Sequence, residues 1–354
     1  MRVGRLQCWL VGLVCLALGT GCHREQVAEV PLLAKLIGFS DRFFDVRALD
    51  GQNVVVAGYG GKILVTSDGG FTWTRAETGT DRAIFKLDFA DARNGWAVGQ
   101  EGLIMHTTDG GKTWARQNSN TVAYLFGVDF RDKDHGFAVG DKSLLLETRD
   151  GGAKWVVRKL PNQAREQMSA EEAVVSQDPV LYDIKFLDDR NGWIVGEFGK
   201  ISYTTDGGET WNEQQQTLLG GEVIDILSLP TFYGVDVSDA QHAVAVGLDG
   251  RVARTTDGIK WSFDEKKLDY PILDPLFAAH ILPDRAAWAV GGAGEVLFQP
   301  TQEQPWERRK LGMEIATWMR GMDWLDKDHG WIVGGKGLIL HTSDGGKTWV
   351  PSLG

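Results

Sequence analysis

Cysteine is scarce in this 354-residue chain and missing from most of it. The three cysteines, Cys8, Cys15 and Cys22, all lie in the first 22 residues. A disulfide framework or a cysteine-ligated metal within residues 23–354 is therefore excluded. Positive charge is also in deficit, because 37 Lys and Arg residues face 48 Asp and Glu residues and the formal net charge is −11. This balance argues against nucleic acid or an anionic lipid surface as the main partner.

The N-terminus carries the pattern of a secretory signal. Arg2 and Arg5 precede a largely apolar run over residues 6–18. The small residues Gly19-Thr20-Gly21 then lead into Cys22. Positive charge, a short apolar core and small residues before a cleavage site are typical of export signals. The run is too short for a typical membrane-spanning helix.

The arrangement around Cys22 resembles a bacterial lipobox, in which the cysteine carries lipid and becomes the mature N-terminus. We therefore expect an exported lipoprotein that is anchored to a membrane through Cys22 and faces the periplasm. An ordinary cleaved signal and an uncleaved anchor are the alternatives. The predicted organisation is a lipoprotein-type signal peptide over 1–21, a tether over 22–40 and a folded domain over 41–354.

The rest of the chain repeats one two-part motif seven times. The first part reads Asn94-Gly95-Trp96-Ala97-Val98-Gly99, and the second reads Thr108-Asp109-Gly110-Gly111-Lys112-Thr113-Trp114. The glycine that ends the first part recurs at Gly58, Gly99, Gly140, Gly196, Gly247, Gly291 and Gly334. The tryptophan that ends the second part recurs at Trp73, Trp114, Trp155, Trp211, Trp261, Trp306 and Trp349. Seven units of about 40–45 residues are typical of a β-propeller with four strands per blade.

Each unit predicts four antiparallel strands, A to D, so the expected fold is an all-β, seven-bladed propeller. In the second unit, strand A alternates over 85–89, an Asn-Gly turn follows, and strand B ends at Gly99. Strand C covers 103–107, and an Asp-Gly-Gly turn leads into strand D at Thr113. In that turn the aspartate can cap backbone N–H groups, and glycine can adopt positive φ. The closing tryptophan should pack into the blade, which gives the box a structural role.

The Asp-Gly-Gly-x-Thr-Trp string resembles the Asp-box, or BNR repeat, of sialidases and several unrelated propellers. Its pairing with Gly-Trp-x-Val-Gly resembles, more narrowly, the photosystem II stability and assembly factor family, over residues 43–354. The resemblance implies a non-enzymatic scaffold that assists the assembly or stability of a membrane protein complex, in the thylakoid lumen where the organism is photosynthetic. The implied partner is an integral membrane protein or its assembly intermediate. Nothing in the sequence says that its owner is photosynthetic.

Two other functions are open to such a fold: a sialidase-like carbohydrate hydrolase, and an accessory lipoprotein of an envelope transporter. Sialidases need three converging arginines and carry an Arg-Ile-Pro string, which does not occur here. The chain has no His-Glu-x-x-His and no Gly-x-Ser-x-Gly string. Asp132–Gly136 and Asp326–Gly330 resemble only the start of a calcium loop and lack its final glutamate. We predict no catalytic residues, no cofactor and no metal.

Strand A is innermost in a propeller, so one column of its side chains should line the central channel. Alignment of the seven A strands gives a column of polar residues with mostly apolar flanks. Its members are Arg47, Asp88, Asp129, Lys185, Asp236, His280 and Asp323. Around a closed ring each basic residue lies between two carboxylates, which lowers like-charge repulsion. A structural charge ring is one interpretation, and a site for a ligand or for a partner's terminus is the other.

Partner recognition is expected on loops, because loops on a rigid scaffold usually carry it. The B–C loops share one face with the D–A connections. Two of the D–A connections are long insertions, at about 156–180 and about 212–231. The composition of the first insertion favours a short helix. The residues predicted to bind a partner on this face are Tyr59, Glu101, Lys142, Phe198, Asp249 and Lys336. Tyr59 and Phe198 could instead cover the channel mouth. The sequence leaves open how the ring closes, because Val27–Leu36 could add an outer strand to the last blade.

Overall fold

The computed structural model describes residues 36–161, 178–219, 229–264 and 272–352. Within these ranges the chain forms 28 short strands joined by tight turns and 3₁₀ segments. The strands are rich in Val, Ile and aromatic residues, which suit a pleated, buried surface, whereas Gly and Asp cluster in the turns. The predicted all-β class is confirmed.

Every repeat supplies strands A, B, C and D in sequence order. The A strands are β1 Phe43–Ala48, β5 Ile84–Phe89, β9 Leu125–Phe130, β13 Leu181–Phe186, β17 Phe232–Val237, β21 Leu276–Ile281 and β25 Met319–Trp324. The B strands are β2 Val54–Gly58, β6 Gly95–Gly99, β10 Gly136–Gly140, β14 Gly192–Gly196, β18 Ala243–Gly247, β22 Ala287–Gly291 and β26 Gly330–Gly334. The C strands are β3 Ile63–Thr66, β7 Ile104–Thr107, β11 Leu145–Thr148, β15 Ile201–Thr204, β19 Val252–Thr255, β23 Val296–Gln299 and β27 Ile339–Thr342. The D strands are β4 Thr74–Arg75, β8 Ala115–Gln117, β12 Val156–Arg158, β16 Asn212–Glu213, β20 Trp261–Phe263, β24 Glu307–Arg308 and β28 Val350–Pro351.

The four strands of each repeat form one antiparallel sheet in the order A-B-C-D, giving seven blades. The A strands of consecutive blades pack side by side, and β25 of blade 7 packs against β1 of blade 1, so the blades form a closed circle. The predicted seven-bladed propeller with four-stranded antiparallel blades is therefore confirmed.

The ring closes without exchange of a strand between the described parts of the first and last repeats. Blade 7 takes all four of its strands, β25–β28, from the C-terminal repeat. The segment before β1 adds a bridge between Arg42 and Gly335, and the N–H of Gly337 donates to the carbonyl of Asp41 at 2.8 Å. Residues 36 and 37, which the sequence assigns to the tether, pack against the core of blades 7 and 1. Residues 27–35, which could have supplied an outer strand, lie outside the described residues.

The hydrophobic core is divided among the contacts between neighbouring blades. Each of the seven core clusters combines buried side chains from adjacent blades, as where Val55 of blade 1 packs with Leu87 of blade 2. The B strands are buried along their whole length because a blade covers each of their faces. The seven box tryptophans are only 2–8% exposed. Burial of one such ring contributes at most about 4–6 kcal/mol to stability.

The Asp-box turns are hydrogen-bonded as the sequence predicts. Asp109 Oδ1 accepts the backbone N–H groups of Lys112 at 3.0 Å and Thr113 at 2.9 Å, and Oδ2 accepts the Thr113 hydroxyl at 2.6 Å. The shortened box of blade 5 keeps a tighter version, in which Asp257 caps Ile259 and Lys260. These contacts close the C–D turn and explain the recurrence of the box in structural terms.

Strand direction gives the ring two different faces. The B–C loops and D–A connections lie on one, here called the B–C face, and the A–B turns and Asp-box turns lie on the other, the Asp-box face. Cys22, the signal and most of the tether lie outside the described residues, as do 162–177 and 220–228 within the two long insertions. Of the second insertion, Gln215–Leu219 forms a 3₁₀ segment. Among the described residues, no helix has the length and hydropathy needed to cross a bilayer.

Candidate functional site

The predicted column of polar residues meets at the centre of the ring. Its members, together with residues from neighbouring positions, line a cavity of about 380 Å³, here called the hub. All seven predicted residues are in this lining: Arg47, Asp88, Asp129, Lys185, Asp236, His280 and Asp323. Leu49, Asp91 and Leu325 from A–B turns also line it, so the hub opens toward the Asp-box face.

The hub carboxylates join neighbouring blades. The carboxylate on strand A of one blade accepts a backbone N–H from strand A of the next. Four column residues do this: Asp88 from Phe130 at 2.7 Å, Asp129 from Phe186 at 3.1 Å, Asp236 from Ile281 at 2.7 Å, and Asp323 from Ala48 at 2.8 Å. A hydrogen bond to a charged group contributes about 1.5–3 kcal/mol, and loss of the acceptor leaves a buried N–H unsatisfied. Asp323 thereby also helps to close the ring.

Two further carboxylates were not identified from the sequence. Asp45 and Asp183 lie two residues before Arg47 and Lys185, and they accept the N–H groups of Leu87 at 2.9 Å and Val235 at 3.2 Å. Residues two apart on a strand share a face, so this alternation was the signal that could have found them. In blades 1 and 4, where the column holds Arg47 and Lys185, the carboxylate that accepts the N–H of the next blade is therefore two residues earlier on strand A.

Blade 6 is the exception. Its inward positions hold Ala278 and His280, and strand β21 contains no carboxylate. The contact between blades 6 and 7 therefore lacks the acceptor that strand A supplies at the other six blade contacts.

The basic hub residues each pair with a carboxylate. Arg47 contacts Asp45 at 3.5 Å and Asp88 at 3.9 Å. Lys185 lies 3.1 Å from Asp129, and His280 lies 3.7 Å from Asp236. The second carboxylate expected beside each forms no contact of this kind, although the charge of Asp323 still acts on Arg47.

Lys86 is a basic hub residue that the sequence did not point to. It pairs with Asp183, two blades away across the hub, at 3.0 Å. It occupies the same inward position as Asp45, two residues before the predicted column, so the strand alternation that reveals Asp45 and Asp183 also reveals Lys86.

Burial and charge shift the ionisation of these groups in opposite directions. Burial raises the pKa of Asp129 to about 6, against the lowering effect of Lys185. Burial likewise raises the pKa of Asp45, against Arg47 and Lys86. The negative charge of Asp129 raises the pKa of Lys185. The hub is thus a network of partly desolvated ion pairs, and its geometry accounts for a structural role.

A ring of aromatic side chains, also missed from the sequence, surrounds the channel at the B–C face. In every A strand the pairing with strand B shifts by one residue, and the extra residue of this β-bulge is half-buried beside the channel. These seven residues, here called the collar, are Phe44, Phe85, Phe126, Tyr182, Tyr233, Phe277 and Arg320.

Collar neighbours contact one another around the whole circle. The ring centroids of consecutive aromatic members lie 5.0–5.4 Å apart. Arg320 closes the circle, with its guanidinium 5.5 Å from the Phe277 ring and 5.6 Å from the Phe44 ring. Burial raises the pKa of Tyr182 to about 12. The recurrence of an aromatic residue at the second position of strand A, in six of seven repeats, was the available signal.

The predicted partner-binding residues lie at the tips of the B–C loops. Glu101, Lys142, Asp249 and Lys336 are exposed there, whereas Phe198 is half-buried. These five residues adopt φ between 53° and 58°, a left-handed conformation that is costly for residues other than glycine. Tyr59 is 59% exposed and precedes Gly60, which adopts the same conformation in blade 1. Nearby cations contact two of them: Arg42 lies over the Tyr59 ring, and Arg82 pairs with Glu101 at 2.8 Å.

Comparison with curated proteins finds relatives at low identity that are named as photosystem II assembly proteins. The chain is 23% identical over 196 residues to "Photosystem II assembly protein Ycf48" of Synechococcus sp. (strain JA-3-3Ab), covering 46% of this chain and 58% of that protein. It is 26% identical over 199 residues to "Photosystem II assembly lipoprotein Ycf48" of Prochlorococcus marinus (strain MIT 9312), covering 45% of this chain and 59% of the relative. The chain thus spans somewhat over half the length of each of these two relatives.

Comparison with solved structures gives the same fold. The structure described as "YCF48 bound to D1 peptide" superimposes with a TM-score of 0.57 at 22% identity, covering 76% of this chain and 81% of that one. The family model described as "Photosynthesis system II assembly factor YCF48" matches residues 34–122, 117–178, 163–224 and 298–352, which together make up most of the chain. The chain therefore belongs to the YCF48 family of photosystem II assembly factors.

Proposed function

We propose that this protein is a non-enzymatic scaffold that holds a segment of an integral membrane protein while a membrane complex is assembled or stabilised. The observation that carries the proposal is that the chain belongs to the YCF48 family and that its relatives are named as photosystem II assembly proteins. One structure with this fold is described as "YCF48 bound to D1 peptide". The proposal for this chain is the general one, capture of a membrane protein segment, and leaves the complex unnamed.

The B–C face is the proposed capture surface. Half of the large apolar side chains that stand exposed in the described residues lie on this face: Phe39, Tyr59, Val122, Leu248, Leu273 and Met313. The Asp-box face has three: Phe71, Ile259 and Leu325. The collar adds a further apolar area at the centre of the B–C face. The B–C face therefore exposes more apolar surface than the Asp-box face, which makes it the better candidate for an interaction surface.

The hub supports a scaffold role over a sialidase-like one. A sialidase site needs three arginines free to bind a carboxylate, and among the described residues Arg47 is the one arginine that lines the hub. It is already engaged by Asp45 and Asp88. In the part of the chain that the structure describes, no group of three His, Cys, Asp or Glu side chains is arranged to hold a metal ion.

The proposed location follows from the N-terminal sequence. We propose export, cleavage before Cys22 and attachment of lipid to that cysteine, so that the propeller is tethered at a membrane surface on its periplasmic or lumenal side. Two observations support this: the signal pattern of residues 1–21, and the naming of the Prochlorococcus relative as a lipoprotein. A tether of this kind would keep the propeller close to its membrane partner.

Site-specific photo-crosslinking tests the proposed surface. A photoreactive amino acid is placed at Tyr59 on the B–C face or, as a matched control, at Phe71 on the Asp-box face, which is 82% exposed. Irradiation of membranes should crosslink the Tyr59 variant to one integral membrane protein, identified by mass spectrometry, and leave the Phe71 variant uncrosslinked. Equal crosslinking from both positions, or recovery of glycans alone from the Tyr59 variant, would contradict the proposal.

A further inference from the structure

The collar combines an apolar ring with one charged group. Six aromatic side chains and Arg320 form a continuous circle, and all seven are half-buried, so part of each remains accessible at the B–C face. Trp318 extends the apolar area by stacking on Phe44, with the centroids 5.6 Å apart and the planes at 6°. Six of the seven collar positions hold an aromatic ring, and the seventh holds the guanidinium of Arg320. This departure from the repeat is the feature that needs an explanation.

Arg320 lacks the carboxylate partner that each basic hub residue has. Arg47, Lys86 and Lys185 all pair with aspartates. Within the described part of the chain, the cation–π contacts of Arg320 are with the faces of Phe44 and Phe277. Burial lowers its pKa, against the opposing influence of Tyr182 and Tyr233. Ring faces attract a guanidinium but accept none of its N–H groups as a carboxylate would. A partly desolvated cation therefore retains free donors at the centre of a protein with net charge −11.

The collar is a separate site from the hub. None of the seven collar residues lines the hub cavity, which opens toward the Asp-box face. A ligand that reaches the collar therefore approaches from the B–C face, and meets the aromatic rings and Arg320 before any hub carboxylate.

We propose that the collar binds a protein segment in which a carboxylate adjoins an aromatic or large aliphatic side chain. The carboxylate pairs with the Arg320 guanidinium, whose planar fork of donors matches two carboxylate oxygens. The adjoining side chain packs against the collar rings, where offset and edge contacts between aromatic groups are favourable. Because Arg320 repels cations, a lysine or a quaternary ammonium group is disfavoured. This inference rests on the proposed function, since it specifies which feature of the captured segment is recognised.

Three short synthetic peptides test the chemistry and distinguish the two sources of a carboxylate. One ends in phenylalanine with a free α-carboxylate, one is the same peptide with a C-terminal amide, and one carries an internal Glu-Phe pair with both ends blocked. Isothermal titration of the full chain should detect binding of at least one carboxylate-bearing peptide, with the neutral amide at least tenfold weaker. Preference between the first and third peptides identifies the source of the carboxylate.

Variants assign the binding to the collar. Arg320→Gln should weaken the preferred peptide at least tenfold. Arg309→Gln is the matched control, because Arg309 also lies over a ring, that of Phe298 at 4.7 Å, but on the outer part of blade 6. Should Arg320→Gln fail to fold, as judged by its melting transition, Phe126→Leu keeps an apolar residue at the collar and should still weaken the same peptide several-fold.

Defined outcomes would overturn the proposal. Equal binding of the amide and the carboxylate peptides, equal loss in the Arg309→Gln control, or binding of anionic phospholipid vesicles in place of the peptides would each do so. Failure of all three peptides while Tyr59 still crosslinks to a membrane protein would reject the collar chemistry alone. Loss of that crosslink as well would reject the proposed function.

Discussion

At six of the seven blade contacts, one carboxylate on strand A accepts a backbone N–H from the next blade. Asp88, Asp129, Asp236 and Asp323 bridge to the following blade directly. Asp88, Asp129 and Asp236 are buried and Asp323 is half-buried, so their charge is costly unless it is compensated by N–H donors and basic neighbours. Asp129 has both kinds of compensation and still keeps a raised pKa, of about 6. Its charged form is thus less favoured in the folded protein than in the unfolded chain.

The raised pKa of Asp129 predicts a pH-dependent stability that Asp129→Asn should remove. Between the usual value of 3.8 and about 6, the folded protein holds a proton that the unfolded chain has released. The free energy of unfolding of the wild type, relative to Asp129→Asn, should therefore fall as pH rises from 4 to 7. One pKa unit corresponds to about 1.4 kcal/mol, so the fall is at most about 3 kcal/mol. Denaturant unfolding of both proteins across this range measures it.

Asp109 provides the control with the opposite sign. Its partly exposed carboxylate accepts hydrogen bonds from Thr113, Thr107 and Lys112, which together outweigh the effect of burial and lower its pKa. The wild type should therefore gain stability over Asp109→Asn as pH rises toward neutrality. The contrary result would be a difference in the free energy of unfolding between the wild type and Asp129→Asn that stays constant with pH, or that rises as expected for Asp109→Asn. Either would show that the Asp129 carboxylate is not destabilised by burial.

At the scale of the strand, a β-bulge separates what the sequence predicts from what it does not. Beyond the bulge strand A alternates regularly, so the column from Arg47 to Asp323 could be aligned by its apolar flanks. At the bulge, one extra residue interrupts the alternation, and simple alternation would direct Phe44 and its equivalents between the blades. The bulge instead directs them to the channel mouth. Simple alternation therefore does not predict the collar, although its aromatic residues recur at the same position of strand A.

The missing carboxylate of blade 6 predicts a local weakness between blades 6 and 7. The N–H of Trp324 occupies the position that receives a carboxylate in Phe130, Phe186 and Ile281, but His280 stands opposite it. Amide hydrogen exchange of Trp324 should be at least tenfold faster than that of Phe130 or Ile281, because local opening needs to break one contact fewer. Exchange measured by NMR on the folded protein gives these rates.

His280→Asp is the matching variant, which should add the missing contact between blades 6 and 7. It restores an acceptor at the position that Asp236 holds in blade 5, and it should slow the exchange of Trp324 without changing that of Phe130. Trp324 protection in the wild type equal to that of Ile281 would mean that another group already satisfies this N–H, and that the blade contact is not weakened.

At the scale of the whole molecule, the fold was predictable because each blade depends mainly on its two neighbours. Seven copies of one box gave the blade count, and the irregular boxes of blades 5 and 6 do not interrupt the ring. The features proposed for recognition were harder to predict, because they break the repeat: the loop tips, and Arg320 among aromatic residues. The predicted loop residues do share one face, and their role in binding stays a prediction.

The proposed membrane tether rests on Cys22 and can be tested apart from the propeller. Cys22→Ser should abolish incorporation of labelled fatty acid when the full chain is expressed in a bacterial host, because the thiol is the proposed attachment point. Cys15→Ser is the matched control, since it lies within the proposed signal and should leave labelling intact. Mass spectrometry of the N-terminal peptide should find an acylated chain that begins at Cys22 in the wild type. A label that persists in Cys22→Ser, or a wild-type chain that retains residues 1–21, would instead favour an anchor made by the uncleaved signal.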